Sequence, residues 1–131
     1  MAESFFGYPK ALHQDAIEKV CRNLDDKLSS KLKENVDYLE RLSQLTTDMK
    51  RELLYEIDPQ RLGRALKLSS QEMLVVLLKG LTSNLKGEIL HVLQQPCSVG
   101  QVMQDQDFLL KLVRGKEAAG SFIFDDSGEL V

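Results

Sequence analysis

Tryptophan is absent from this 131-residue chain, and cysteine and proline occur only two and three times. Each scarcity removes a class of protein. Cys21 and Cys97 lie far apart with no CxxC spacing, so no disulfide framework is expected and both read as reduced thiols of a cytosolic protein. His13 and His91 have no partner four residues on and no Cys/His cluster exists, so no metal site is expected. No glycine-rich dinucleotide or phosphate loop and no nucleophile elbow is present, which leaves no cofactor and no catalytic site to name. Asp25-Asp26 and Asp125-Asp126 read as a helix start and a turn rather than an acid/base couple, which needs convergent burial.

No apolar run approaches the roughly 20 residues of a membrane span, so no direct membrane insertion is expected. Met1-Ala2-Glu3-Ser4-Phe5-Phe6 lacks the basic start of a signal peptide. The net charge of −3 argues against general nucleic-acid binding. What the chain does hold is 43% hydrophobic and 28% charged residues, the balance of one globular domain with its own core, expected in the cytoplasm.

Helical periodicity dominates. Ile17, Val20, Cys21 and Leu24 form one stripe on a first helix over roughly residues 10–23, with Pro9 ahead of it. Asp25-Asp26 then offers a cap for a second helix carrying Leu28, Leu32, Val36, Leu39 and Leu42. A single helix from about 10 to 43 is the alternative. Leu45-Thr46-Thr47-Asp48 starts a third helix with Met49, Leu53, Leu54 and Ile57 facing inward, and Asp58-Pro59 starts a fourth with Leu62, Ala65 and Leu66. Ser69 with Glu72 reads as a capping box ahead of Met73–Leu78, which is apolar on all sides. That run is therefore expected to be a central helix, with a β-strand as its rival. Leu85, Ile89, Val92 and Leu93 mark a further helix ended by Pro96, and Ser98 opens the last, which Gly120 closes. The fold class is all-α: a compact superhelical or armadillo-like bundle of six to seven short helices.

The order and spacing of these elements resemble the C-terminal domain of the flagellar motor switch protein FliG over residues 25–131, with residues 1–24 as an N-terminal helix or linker segment. Val36-Asp37-Tyr38-Leu39-Glu40 stands where that family carries its Met-Phe-x-Phe-Glu hinge, with Asp37 in a normally aromatic place. Ala65-Leu66-Lys67 matches the Ala-Leu-Lys that follows, and Pro96, Val102, Gln106 and Gly120-Ser121-Phe122-Ile123 track the close of the domain. The resemblance implies protein partners among flagellar switch or type III secretion-base components, a position at the inner membrane's cytoplasmic side, and a homo-oligomer as one form of assembly.

Family members that drive rotation present basic residues and an Asp-Asp pair on one helix. Lys67 keeps a position similar to one of the basic residues. His91-Val92-Leu93 stands where the acidic pair would be, and Asn84-Leu85 and Ser98 stand near two expected arginines. An electrostatic contact needs those charges, so the expectation is a stand-alone, non-catalytic adaptor without torque generation. A functioning rotor protein, or a regulatory domain like that of magnesium transporters with acidic pockets for the ion, are the alternatives. Candidate partner contacts are Lys67, the charged run Asp48, Lys50 and Arg51, and the aromatic cluster Phe5, Phe6 and Tyr8.

Overall fold

The computed structural model describes residues 8–124. Phe5, Phe6 and the expected turn at Asp125–Gly128 lie outside them. Among the described residues seven α-helices follow one another: α1 (Lys10–Cys21), α2 (Asp26–Leu39), α3 (Thr47–Glu56), α4 (Pro59–Ala65), α5 (Gln71–Leu78), α6 (Ser83–Gln94) and α7 (Val99–Ala118), with a 3-10 turn at Glu40–Gln44 after α2. The protein is an all-α helical bundle. Among the described residues the nearest approach to β-structure is an isolated parallel bridge between Tyr8 and Ser70.

Local chemistry sets the helix starts. Asp25, Thr46, Asp58, Ser70, Thr82 and Ser98 each stand in extended backbone just before a helix and accept hydrogen bonds from its first free N–H groups. The Asp25 cap, 2.8 Å from the Leu28 N–H, breaks the chain between α1 and α2 and excludes the single long helix. Pro59 in the first turn of α4 withholds an N–H that needs no partner there. At the far end of α7, Gly120 takes φ +83°, the left-handed turn that closes a helix.

Two expectations are corrected. The cap of α5 is Ser70, one residue later than the Ser69–Glu72 box, because Ser70 Oγ accepts from the Met73 N–H at 3.1 Å while its own O–H and N–H donate to the Glu40 carboxylate at 2.5 and 2.9 Å. A carboxylate from the 3-10 turn thus fixes which serine begins the helix. Nor is α5 surrounded on all sides. It buries Met73, Leu74, Leu77 and Leu78, but Val75 and Val76 are 49% and 43% exposed. The innermost helix is α4, which packs most extensively against α6 and α7. Gly63 permits this closeness: a Cβ there would stand 3.0 Å from the Val92 Cβ and 3.2 Å from the Ile89 carbonyl oxygen.

The main core joins α3 to α7 through Leu53, Leu62, Leu66, Leu74, Ile89 and Leu109, with Phe122 folded back under it at 1% exposure. A second cluster holds α1: Ile17 and Cys21 pack with Leu32, Val36, Leu68, Val102 and Met103. His13 Nε2 lies 2.8 Å from the Leu68 carbonyl oxygen and its ring stacks on Tyr8, which ties the first turn of α1 to the loop before α5.

Candidate functional site

The charged side chains expected to meet a partner divide into those exposed to solvent and those bound into the fold. Lys67 follows α4 and is half-buried. Its ammonium donates to the carbonyls of Val92 (3.4 Å), Leu93 (3.0 Å) and Gln95 at the C-terminal end of α6. Those carbonyls lie at the negative end of the helix dipole, where Val92 also accepts the Gln95 N–H, so the lysine completes their hydrogen bonding and offsets the dipole. Burial pushes its pKa down, partly opposed by nearby Cys97. Lys50 repeats the arrangement one helix earlier. It is 8% exposed and donates to the carbonyls of Val76 (2.8 Å) and Lys79 (2.9 Å) at the end of α5. Burial, aided by the Lys79 charge, lowers its pKa.

Asp48 and Arg51 remain on the exposed face of α3, joined by an i,i+3 ion pair at 3.2 Å. Arg51 borders a groove of about 290 Å³ between α3 and the α5–α6 turn, lined also by Leu54, Tyr55, Leu81 and Leu85. Tyr55 beside it is 82% exposed. Tyr8 is half-buried and sits apart from these, against α1.

Val36, Asp37, Tyr38 and Leu39 form the last turn of α2. Val36 and Leu39 enter the two cores while Asp37 is exposed. Tyr38 is clamped between the guanidinium groups of Arg41 and Arg114, 5.0 and 4.9 Å from its ring centre, and its O–H donates to Glu117 at 2.7 Å. Burial and then that carboxylate raise its pKa to about 12.

The outward surface of α6 carries little charge. Ser83, Asn84, Gly87, Glu88, His91 and Gln94 are its exposed residues, so Glu88 is the one carboxylate among them. Ile89 and Leu93 face the core.

Sequence reading missed the strongest electrostatic cluster. Asp105 on α7 is 0% exposed and accepts from Arg61 Nε (3.0 Å), Arg64 Nε (2.8 Å) and Gln101 Nε2 (3.1 Å). Burial alone would raise its pKa, but hydrogen bonds from Arg64, Gln101 and Arg61 outweigh that and hold it below the usual carboxylate range. A signal was available: Asp105 falls in phase with Val102, Leu109 and Val113 on the apolar stripe of α7, where a carboxylate requires a cationic partner. Lys116, which donates to Glu52 (2.7 Å) and Glu56, pins the far end of α7 to α3 in the same way.

None of these clusters pairs a nucleophile with a base, and they act as interhelical fasteners. Among the described residues no three His, Cys, Asp or Glu side chains are placed to hold a metal ion. No helix among them is long and apolar enough to cross a membrane.

Neither a curated protein nor a solved structure matches the chain. A family model does: the FliG C-terminal domain matches residues 14–124, from the first turns of α1 to the segment behind Gly120. With that match spanning most of its 131 residues, the chain belongs to the FliG C-terminal domain family, whose function is tied to the flagellar motor switch.

Proposed function

We propose that this protein is a cytoplasmic, non-catalytic adaptor of a flagellar motor switch or a related type III secretion base, binding partner proteins without generating torque. The observation that carries this reading is the face of α6. Its exposed residues are mostly neutral, with Glu88 unaccompanied by a second acid, where the resemblance to rotation-driving family members implies an acidic pair. A partner that cycles past such a face has little charge to engage, and rim charges govern this kind of encounter. Lys67 supports the same reading, because its ammonium is held by three carbonyls of the α6 end and is withdrawn from outside contacts. Asp48 and Arg51, exposed on α3, are our first candidates for partner contact, and Tyr8, half-buried against α1, comes after them.

Two measurements test the reading. A pull-down with the intact chain from its source cells is expected to recover switch or secretion-base proteins, and recovery of metabolic enzymes alone would sink it. Grafting residues 14–124 in place of the corresponding domain of a working rotor protein is expected to give assembled, paralysed flagella. Sustained rotation in that chimera would show that torque does not need the missing charges.

A further inference from the structure

A groove of about 750 Å³ runs between α2 and α7. Lys27 and Lys31 stand one helical turn apart on its α2 wall, and Lys111 and Arg114 one turn apart on its α7 wall. The groove's own acids are Glu34 and Asp107. Asp107 is matched by Lys31 at 3.3 Å. Among the described residues Lys27, Lys111 and Arg114 make no ion pair, and Arg114 lies over the Tyr38 ring. Four cations against two carboxylates stand out on a chain whose net charge is −3. Between the charged walls lie apolar atoms: Leu28 is 42% exposed and Leu110 forms part of the buried lining.

We propose that the α2/α7 groove is a docking site for an acidic amphipathic helix of a partner protein. Its apolar stripe would cover Leu28, and its carboxylates would sit beside Lys27, Lys111 and Arg114. Carboxylates at i and i+4 on a helix repeat at the same one-turn spacing as the cations on each wall, and a groove framed by two helices fits a third along its length. The occupant is a protein helix rather than a nucleic acid, because Glu34 and Asp107 inside the groove would repel a continuous phosphate backbone. Concavity disfavours a flat anionic bilayer for the same cations. The inference rests on the adaptor reading only in supposing a protein partner.

The test uses the full chain and a fluorescein-labelled synthetic helix of about 16 residues with a leucine stripe flanked by glutamates, followed by fluorescence anisotropy. Saturable binding is expected, weakened about tenfold by the double substitution K27E/K111E and several-fold by raising salt from about 50 to 300 mM. K86E on α6 is expected to change it less than about twofold. Circular dichroism establishes that K27E/K111E is folded, which the exposure of both lysines favours. Four results overturn the proposal: equal binding by a peptide whose leucines are replaced by serine, equal binding by K27E/K111E, tighter binding of poly(U) RNA or phosphatidylglycerol vesicles through the same lysines, or self-association of the chain abolished by K27E/K111E. If the pull-down recovers switch proteins equally with K27E/K111E, the groove proposal fails while the adaptor reading stands.

Discussion

Replacing Asp105 by alanine is expected to be among the most damaging single changes in the protein. The carboxylate is fully buried and receives three hydrogen bonds, two of them from guanidinium groups on α4. Breaking a buried ion pair by removing one partner typically costs about 3–5 kcal/mol, because the remaining charge is stranded. Here the arginine side chains are 39% and 32% exposed and can turn toward water, which places the loss at the low end of that range. Alanine's better helix propensity returns about half a kcal/mol. The net expectation is about 2–3 kcal/mol for D105A, and about 2 kcal/mol for D105N, which keeps the shape and one acceptor oxygen. With unfolding entropy near 2.1 cal/mol/K per residue, a chain of 131 residues loses about 7–11 °C in Tm for D105A.

The pH dependence provides an independent check. The native pKa of Asp105 lies below its unfolded value of about 3.9. Its contribution is therefore fully present above that value and is lost as pH falls through the depressed native pKa. Thermal melts of wild type and D105A should differ by a constant amount near neutrality and converge under acid. A Tm change within about 2 °C for D105A at pH 7, or a difference that persists unchanged well below pH 4, would refute the account of the cluster.

Gly63→Ala should destabilise by about 1–2 kcal/mol in denaturant melts, since the new Cβ meets the Val92 Cβ at 3.0 Å and overpacking outweighs the gain in helix propensity. Gly87→Ala, in the same kind of helical backbone with nothing within 4 Å, should instead stabilise by up to about 1 kcal/mol, and equal signs for the two would disprove the close α4–α6 approach. Lys50→Met should lose about 1–2 kcal/mol by leaving the Lys79 carbonyl without its side-chain donor and the Val76 carbonyl with the Lys79 N–H alone, read as reduced hydrogen-exchange protection confined to the end of α5. Tyr38→Phe should remove the absorbance titration near pH 12, and stability carried by the native phenol should fall as pH rises from about 10 toward 12, because the folded state holds the proton more tightly.

Helix starts were legible in the sequence because a cap is a local device: the side chain and the N–H it serves lie two or three residues apart, as Thr46 with Met49 or Ser98 with Gln101 show. The displaced start of α5 marks the boundary of that rule. Ser69 and Ser70 are equivalent in sequence, and the choice between them is made by Glu40, thirty residues away. The same distance separates reading from outcome at Lys50 and Lys67, whose carbonyl partners lie 25 to 29 residues on. A lysine on a polar stretch reads as surface until the end of another helix is placed beside it. The exposure of Val75 and Val76 was hidden for a different reason: where every residue is apolar, no periodicity remains to say which side faces out.

The forces that hold the bundle together leave the outward face of α6 free to vary without loss of the fold. Asp105 with its two arginines joins α4 to α7, Lys116 with Glu52 and Glu56 joins α7 to α3, and Lys50 and Lys67 close the ends of α5 and α6. α6 itself is held through Ile89 and Leu93 on its inner side and through carbonyls at its C-terminal end. No exposed side chain of α6 takes part in these links, so substitution at Asn84, Glu88 or His91 meets no packing constraint and surface changes of this kind usually fall within about 0.5 kcal/mol. Charge on that face is therefore not set by what the bundle needs. Creating an acidic pair with V92D would fail as a test, since Val92 is half-buried against Gly63, whereas H91D beside Glu88 adds charge to the solvent side alone. H91D is expected to leave Tm within about 2 °C of wild type, and a larger fall would mean that the face of α6 contributes to the fold and that its neutrality has a structural origin.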